Sequence, residues 1–264
     1  MTEPTAPGRT WKHWLIFIGI GVAAGYLSGL FGVGGGTIIV PMLLTFAHFD
    51  VRKASGTSLA AIVPTAIVAV ISYVSRDAVD WLAALLIVIG SVGGAQIGSH
   101  LLDKLPKKVI RWAFIGFLIA VIVSLFIVVT SRDSQIQIDF WLGTAMVALG
   151  LIVGVLSGLL GIGGGLVVVP MLILLFGASD LVAKGTSLAM MIPTAISGTI
   201  GNFKRGNVDL AAGMFIGAGA CVTSALGAAT AAWVDPRIGN MLFAAFLVVI
   251  TVRMAKDALK MPKP

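Results

Sequence analysis

The sequence predicts an all-α polytopic membrane protein built from two inverted-topology repeats. Its 264 residues are 58% hydrophobic and 11% charged, whereas soluble domains carry about 25% charged residues. The charges fall in short clusters, and the uncharged runs between them approach the length of a membrane-spanning helix, about 20 residues. A glycine-rich string also occurs twice, 129 residues apart.

The two copies of that string define a duplication. Residues 25–43 read GYLSGLFGVGGGTIIVPML and residues 154–172 read GVLSGLLGIGGGLVVVPML, with 13 of 19 positions identical. The same spacing relates Thr57-Ser58-Leu59-Ala60 to residues 186–189. We therefore assign residues 12–130 to a first transmembrane repeat and residues 138–258 to a second.

The uncharged runs predict the elements in order. They cover residues 14–47, 54–75, 81–102, 112–131, 140–179, 185–203, 210–234 and 238–252. As one straight helix, the first run would be about 51 Å long, against a hydrocarbon core of about 30 Å. It must break, as must run 140–179, and the consecutive glycines are the expected break points.

Short helices are therefore predicted at 37–48 and 166–177, after the glycines. Each repeat then holds a glycine-broken short hairpin and three full spans, which gives about 8–10 transmembrane segments. Whether the two arms of each hairpin are full spans or re-entrant stays open at this stage.

The basic residues predict the orientation. If each hairpin returns to its starting side, 14 Lys and Arg residues face the cytoplasm and four face outward. If each hairpin crosses once, the split is 10 to 8, and the positive-inside rule favours the first arrangement. It makes the repeats inverted and both termini cytoplasmic, with loop 103–111 inside and loop 178–184 outside. The four outward residues are Arg76, Arg132, Lys184 and Arg237.

The glycine turns are the first candidate site. A helix that begins at such a turn presents unpaired N–H groups and the positive end of its dipole, which suits an anion. Here the helices would begin at Thr37 and Leu166. The alternative is that the glycines only permit close helix packing.

Other polar residues add candidates. The Thr57-Ser58 and Thr186-Ser187 pairs open the third segment of each repeat, where hydroxyls either cap the helix or contact a ligand. Asn202 is the best single side-chain candidate within a span. No charged residue is expected deep in a full-length span.

With these residues, the sequence resembles the TauE/SafE family of sulfite exporters, also called toluenesulfonate uptake permeases. The resemblance rests on LSGLFGVGGGTIIVPML and LSGLLGIGGGLVVVPML, each followed by GTSLA, and extends over nearly the whole chain. It implies an inner-membrane exporter of small sulfur-containing anions, such as sulfite, sulfoacetate or other organosulfonates. The site positions that it implies are Gly34, Gly35, Gly36, Thr57, Ser58, Gly163, Gly164, Gly165, Thr186 and Ser187.

Two further function classes stay open, an anion or small-solute channel and a non-transporting accessory subunit. No nucleophile–base pattern or metal-ligand spacing is present, so we expect neither an enzyme nor a cofactor. The expected partners are a small anion and the lipid bilayer, and no nucleic acid. The oligomeric state stays open, with a homodimer as one alternative.

Overall fold

The computed structural model describes residues 11–127 and 139–259. The predicted repeat boundaries at 130 and 138 lie outside this part of the chain, as does Arg132. The helices of the described residues are α1 (Trp11–Phe31), α2 (Gly36–Phe46), α3 (Val51–Val74), α4 (Trp81–Lys104), α5 (Lys107–Ile127), α6 (Phe140–Leu160), α7 (Gly165–Phe176), α8 (Asp180–Phe203), α9 (Leu210–Ala231) and α10 (Pro236–Leu259).

The protein is an all-α polytopic membrane protein, as predicted. Five of the described helices, α1, α3, α4, α6 and α9, are long and apolar enough to cross a membrane. Large apolar side chains such as Ile71, Ile89 and Val222 point outward, each more than half exposed. A surface of this kind fits lipid, which satisfies no backbone polar group and therefore selects helices.

The short helices α2 and α7 form the return arms of two hairpins. Eleven residues of α2 span about 16 Å, half of a bilayer core. The ring of Phe49, just after α2, lies 5.9 Å from the ring of Phe17 near the start of α1. Hence α2 runs back toward the end of the bundle at which α1 begins.

Glycines line the contact between α1 and α9, and equivalent glycines line the contact between α4 and α6. A methyl group added to Gly25 would lie 2.2 Å from the carbonyl oxygen of Ala220, and one added to Gly154 would lie 2.2 Å from that of Ser91. The backbones therefore touch directly, as small residues allow. Similar contacts recur every four residues at Gly21, Gly25 and Gly29 of α1, at Gly150, Gly154 and Gly158 of α6, and at Gly90, Gly94 and Gly98 of α4.

The helices α3 and α8 lie between these pairs and run in opposite directions. Gly56, near the start of α3, packs on Asn207 just beyond α8, and Gly185, near the start of α8, packs on Ala78 just beyond α3. These equivalent helices thus make reciprocal contacts. Such an arrangement is what inverted repeats predict, while their orientation in a membrane stays a prediction.

The start of α8 corrects the sequence prediction. The helix begins at Asp180, not near 185, and the Ser179 hydroxyl caps it by accepting the Val182 N–H at 3.4 Å. The predicted external loop 178–184 is therefore mostly helix. Lys184 is a buried helical residue, so it no longer counts among the basic residues of the outward-facing loops.

The first prediction concerns the glycine contacts. Gly25→Leu should lower the melting temperature of the purified protein sharply, because overpacking costs about 1–3 kcal/mol or more. Gly19→Leu is the matched control on the same helix, since a methyl group there meets open space. Equal melting temperatures for the two variants would contradict the packing described for α1 and α9.

The second prediction concerns the inverted orientation. Ser75 and Lys204 are equivalent exposed positions in the two repeats. In a Cys221→Ser background, Ser75→Cys should react with a membrane-impermeant maleimide in intact cells. Lys204→Cys should react only after permeabilisation. Labelling of both cysteines from one side would rule out inverted repeats.

Candidate functional site

Each glycine turn has a backbone that favours glycine. The φ angles are 72° and 75° at Gly34 and Gly35, and 80° and 89° at Gly163 and Gly164. Side chains other than glycine rarely adopt such angles. The turns let α1 end and α2 begin within four residues, and α6 and α7 do the same.

The two turns meet inside the protein. A methyl group added to Gly36 would lie 2.5 Å from the carbonyl oxygen of Gly161, and one added to Gly165 would lie 2.7 Å from that of Gly32. Each short helix therefore begins against the turn of the other repeat. These contacts bring the two turns together at the interface of the repeats.

The meeting point collects two helix N-termini. In α2 the first intrahelical bonds run from the N–H groups of Ile38 and Ile39 to Gly35. The described residues supply no acceptor for the N–H groups of Gly36 and Thr37. The start of α7 has the same arrangement. Two positive dipole ends, each equivalent to about half a charge, thus lie side by side in a buried place.

Thr37 adds a hydroxyl group at the meeting point of the two turns. Its side chain is fully buried, and its Oγ1 has no hydrogen-bond partner among the described residues. A buried hydroxyl without a partner costs free energy, so its retention needs a reason. A ligand at the start of α2 would supply an acceptor for it.

The serines of the predicted site bind the turns themselves. Ser58 donates to the carbonyl of Gly161 at 2.8 Å, and Ser187 donates to that of Gly32 at 3.0 Å. Each hydroxyl thus anchors the turn of the opposite repeat. Both serines are fully buried.

The threonines of the predicted site contact helices of the opposite repeat. The hydroxyl of Thr186 accepts the N–H of Asp80 at 2.9 Å, and that of Thr57 accepts the N–H of Asp209 at 2.9 Å. Asp80 and Asp209 are the N-cap residues of α4 and α9. These threonines lie six residues inside α3 and α8, so they stabilise the starts of other helices rather than their own.

Asn202 lies away from the meeting point. It is fully buried and donates to the carbonyls of Gly198 and Gly158 at 3.0 and 3.3 Å. Its Oδ1 has no hydrogen-bond partner in the part of the chain that the structure describes. Along α8 it stands eleven residues beyond Met191, or about 16 Å. Asn202 therefore does not reach Met191 at the meeting point, but binds α6 one helical turn before the second glycine turn.

Two apolar residues that the sequence argument missed fill the centre. Ile62 of α3 and Met191 of α8 are both fully buried. Methyl groups added to Gly34 and Gly163 would each meet the Met191 Cε, at 1.7 and 2.4 Å, and the side chain of Ile62. These two residues are equivalent at the repeat spacing, but nothing in their chemistry signals a site.

A buried ion pair was also missed. Lys184 and Asp180 form a contact of 2.8 Å between Nζ and Oδ2 in the first turns of α8. The pair lies at the N-terminal end of α8, so it leaves the expectation about the depth of full-length spans untouched. The opposite charges stand four residues apart, the spacing of an intrahelical pair, and that pattern was visible in the sequence.

Comparison with known proteins identifies the family. The family model described as "Sulfite exporter TauE/SafE" matches residues 2–125 and 146–264. The chain is 26% identical to the probable membrane transporter protein YunE of Bacillus subtilis, over 93% of this chain and 98% of that protein. It is 27% identical to a probable membrane transporter protein of Haemophilus influenzae, over 91% and 97% of the two chains.

A third relative comes from another organism, and comparison with solved structures found no match. A probable membrane transporter protein of Methanocaldococcus jannaschii is 29% identical over 60% of each chain. No solved structure matches significantly. Because the family model covers nearly the whole sequence, this chain belongs to the sulfite exporter TauE/SafE family.

Proposed function

We propose that this protein is a secondary transporter of the inner membrane that exports small sulfur-containing anions, sulfite or an organosulfonate. The observation that carries the proposal is the meeting of two buried helix N-termini at the glycine turns. Two like dipole ends repel each other where solvent is excluded. A bound anion would offset that repulsion and accept the N–H groups, as at other helix N-termini.

The chemistry of the turns suits an oxyanion. Backbone N–H groups and the Thr37 hydroxyl offer donors, while Ile62 and Met191 offer an apolar wall. The family description and the names of the relatives support a transporter in general. The choice of sulfite or a sulfonate rests on the family description.

Entry of an anion requires the centre to open. The Met191 methyl group fills the space between Gly34 and Gly163. Methionine is unbranched and adapts its shape readily, so rotation of its side chain would clear the space at modest cost. Inverted-repeat transporters bind substrate where the repeats meet and then expose that site to either side.

The third prediction tests whether the Thr37 hydroxyl binds the substrate or only contributes to stability. Thr37→Val keeps the shape and removes the unpartnered hydroxyl, so it should leave thermal stability unchanged or higher. It should lower sulfite transport about tenfold or more, because hydrogen bonds to charged groups are worth about 1.5–3 kcal/mol. Sulfite efflux from proteoliposomes and the melting temperature are the two measurements.

Thr186→Val is its matched control. It removes the acceptor of the Asp80 N–H at the start of α4, so its main effect should be lower stability, by about 1–3 kcal/mol. If the Thr37→Val variant transported sulfite normally, the Thr37 hydroxyl would not belong to the substrate site.

The fourth prediction concerns the driving force. A negative-inside potential drives an anion outward with about 2.3 kcal/mol per charge per 100 mV. Sulfite efflux from loaded proteoliposomes at equal pH should therefore accelerate when such a potential is imposed. It should also saturate and show counterflow, which separates a transporter from a channel. Efflux that ignores the potential and follows a pH gradient would favour coupling to protons.

A further inference from the structure

The ion pair of α8 is buried far more deeply than an ordinary surface pair. The side chains of Lys184 and Asp180 are 8% and 3% exposed, with Nζ and Oδ2 2.8 Å apart. The pair between Asp50 and Lys107, at 3.2 Å, is 40% and 54% exposed. The α8 pair is therefore desolvated, and the other pair is largely in solvent.

The pair lies directly against the first glycine turn. A methyl group added to Gly32 would lie 2.6 Å from the Cα and 2.7 Å from the Cβ of Lys184. One turn further along α8, Ser187 donates to the carbonyl of the same glycine. Tyr73, at the end of α3, packs against the neighbouring Gly185. The backbone and the aliphatic stem of the lysine thus pack against the turn that holds the proposed anion site.

Stability does not explain the pair. Removing two charges from water costs free energy that their attraction often fails to offset, and neutral replacements are frequently as stable or more stable. Ionisable residues inside membrane proteins are costly and commonly mark the route of a substrate. The position of this pair points to such a role.

The first repeat shows that neutral residues fit the same place. Val51 and Ser55 are the equivalents of Asp180 and Lys184 at the repeat spacing, and both are buried. Gly161 packs against Ser55 as Gly32 packs against Lys184. The fold therefore accepts a neutral residue here, and the buried lysine distinguishes one end of the bundle from the other.

We propose that Lys184 is an anion-binding residue, and that its Nζ, which carries three N–H donors, binds the transported anion beside Asp180 as the anion passes the first glycine turn. This inference rests on the proposed function, in which an anion crosses between the two turns. Asp180 balances the lysine charge when no anion is present. Because Lys184 keeps its contact with Asp180 while it binds the anion, neither buried charge is left without a partner.

The repeat itself supplies the test. The double variant Asp180→Val with Lys184→Ser gives the second repeat the residues of the first and leaves no unpaired charge, so it should fold. The single variant Lys184→Ser leaves Asp180 buried without its partner and should have a lower melting temperature than the double variant. The control Asp50→Asn with Lys107→Gln removes the same charges from the exposed pair.

The readout is thermal stabilisation of purified protein by the sodium salts of sulfite, sulfate, sulfoacetate and acetate at constant ionic strength. A bound ligand raises the melting temperature, by about 5 °C or more at roughly 100 times its Kd. We expect at least one of these anions to stabilise the wild type and the control, and not the folded double variant. Equal stabilisation of the double variant, or none of the wild type, would overturn the role of Lys184.

Sulfite efflux from proteoliposomes then tests the proposed function separately. If another anion stabilises the wild type through Lys184 but sulfite is not exported, the substrate assignment fails and the binding residue stands. If the wild type exports sulfite and the double variant exports it equally well, the binding residue fails and the proposed function stands.

Discussion

Direct backbone contact between glycine-lined helices is the constraint on which the rest of the fold depends. The helix α1 carries the first glycine turn, and it lies against α9 of the other half of the chain; α6 carries the second turn, and it lies against α4. At its closest points, such as Gly25 on Ala220, each contact leaves no room for a side chain larger than the hydrogen of glycine. Neither half can therefore complete its core alone, and the position of each turn is set by a helix from the opposite half.

The contacts that hold the turns themselves are weaker than this framework. Ser58 and Ser187 each contribute one hydrogen bond to a turn carbonyl, worth about 0.5–1.5 kcal/mol. Close helix packing instead sums many dispersion contacts along a whole interface. A conformational change that keeps α1 on α9 and α4 on α6, and breaks the serine bonds, therefore costs less than one that separates the helix pairs. Met191, between the turns, is well suited to such a change because its side chain adapts to a new shape.

The general architecture was predictable because it follows from length and periodic repetition. A run of 34 uncharged residues cannot be one straight span, so Gly34–Gly36 had to break it. The pairing of α1 with α9 was not predictable, because the glycines that line it are spread through apolar sequence and resemble ordinary small residues. The roles of Thr57 and Thr186 were also hidden. Their hydroxyls accept N–H groups at the starts of α9 and α4, more than 100 residues away along the chain.

The main error of the sequence argument concerned charge, and its cause is physical. Lys184 was assigned to an outer loop because basic residues usually flank spans. Its partner Asp180, four residues earlier on the same helix, offsets part of the cost of burying it. A charge count that treats each residue alone cannot detect this compensation. Spacing of opposite charges at the edge of an uncharged run is the signal that would have found it.

The difference between the two halves limits what Lys184 can do in transport. Where Lys184 packs on Gly32, the other half has Ser55 on Gly161, so an anion would meet a charged group on one side of the centre only. Such an asymmetry changes the affinity of the states open to each side, since a ligand shifts a conformational equilibrium by its differential binding. It cannot set the direction of net flux, which depends on the gradient and the membrane potential. Removing the pair should therefore change the concentration at which transport saturates without changing which way the anion flows.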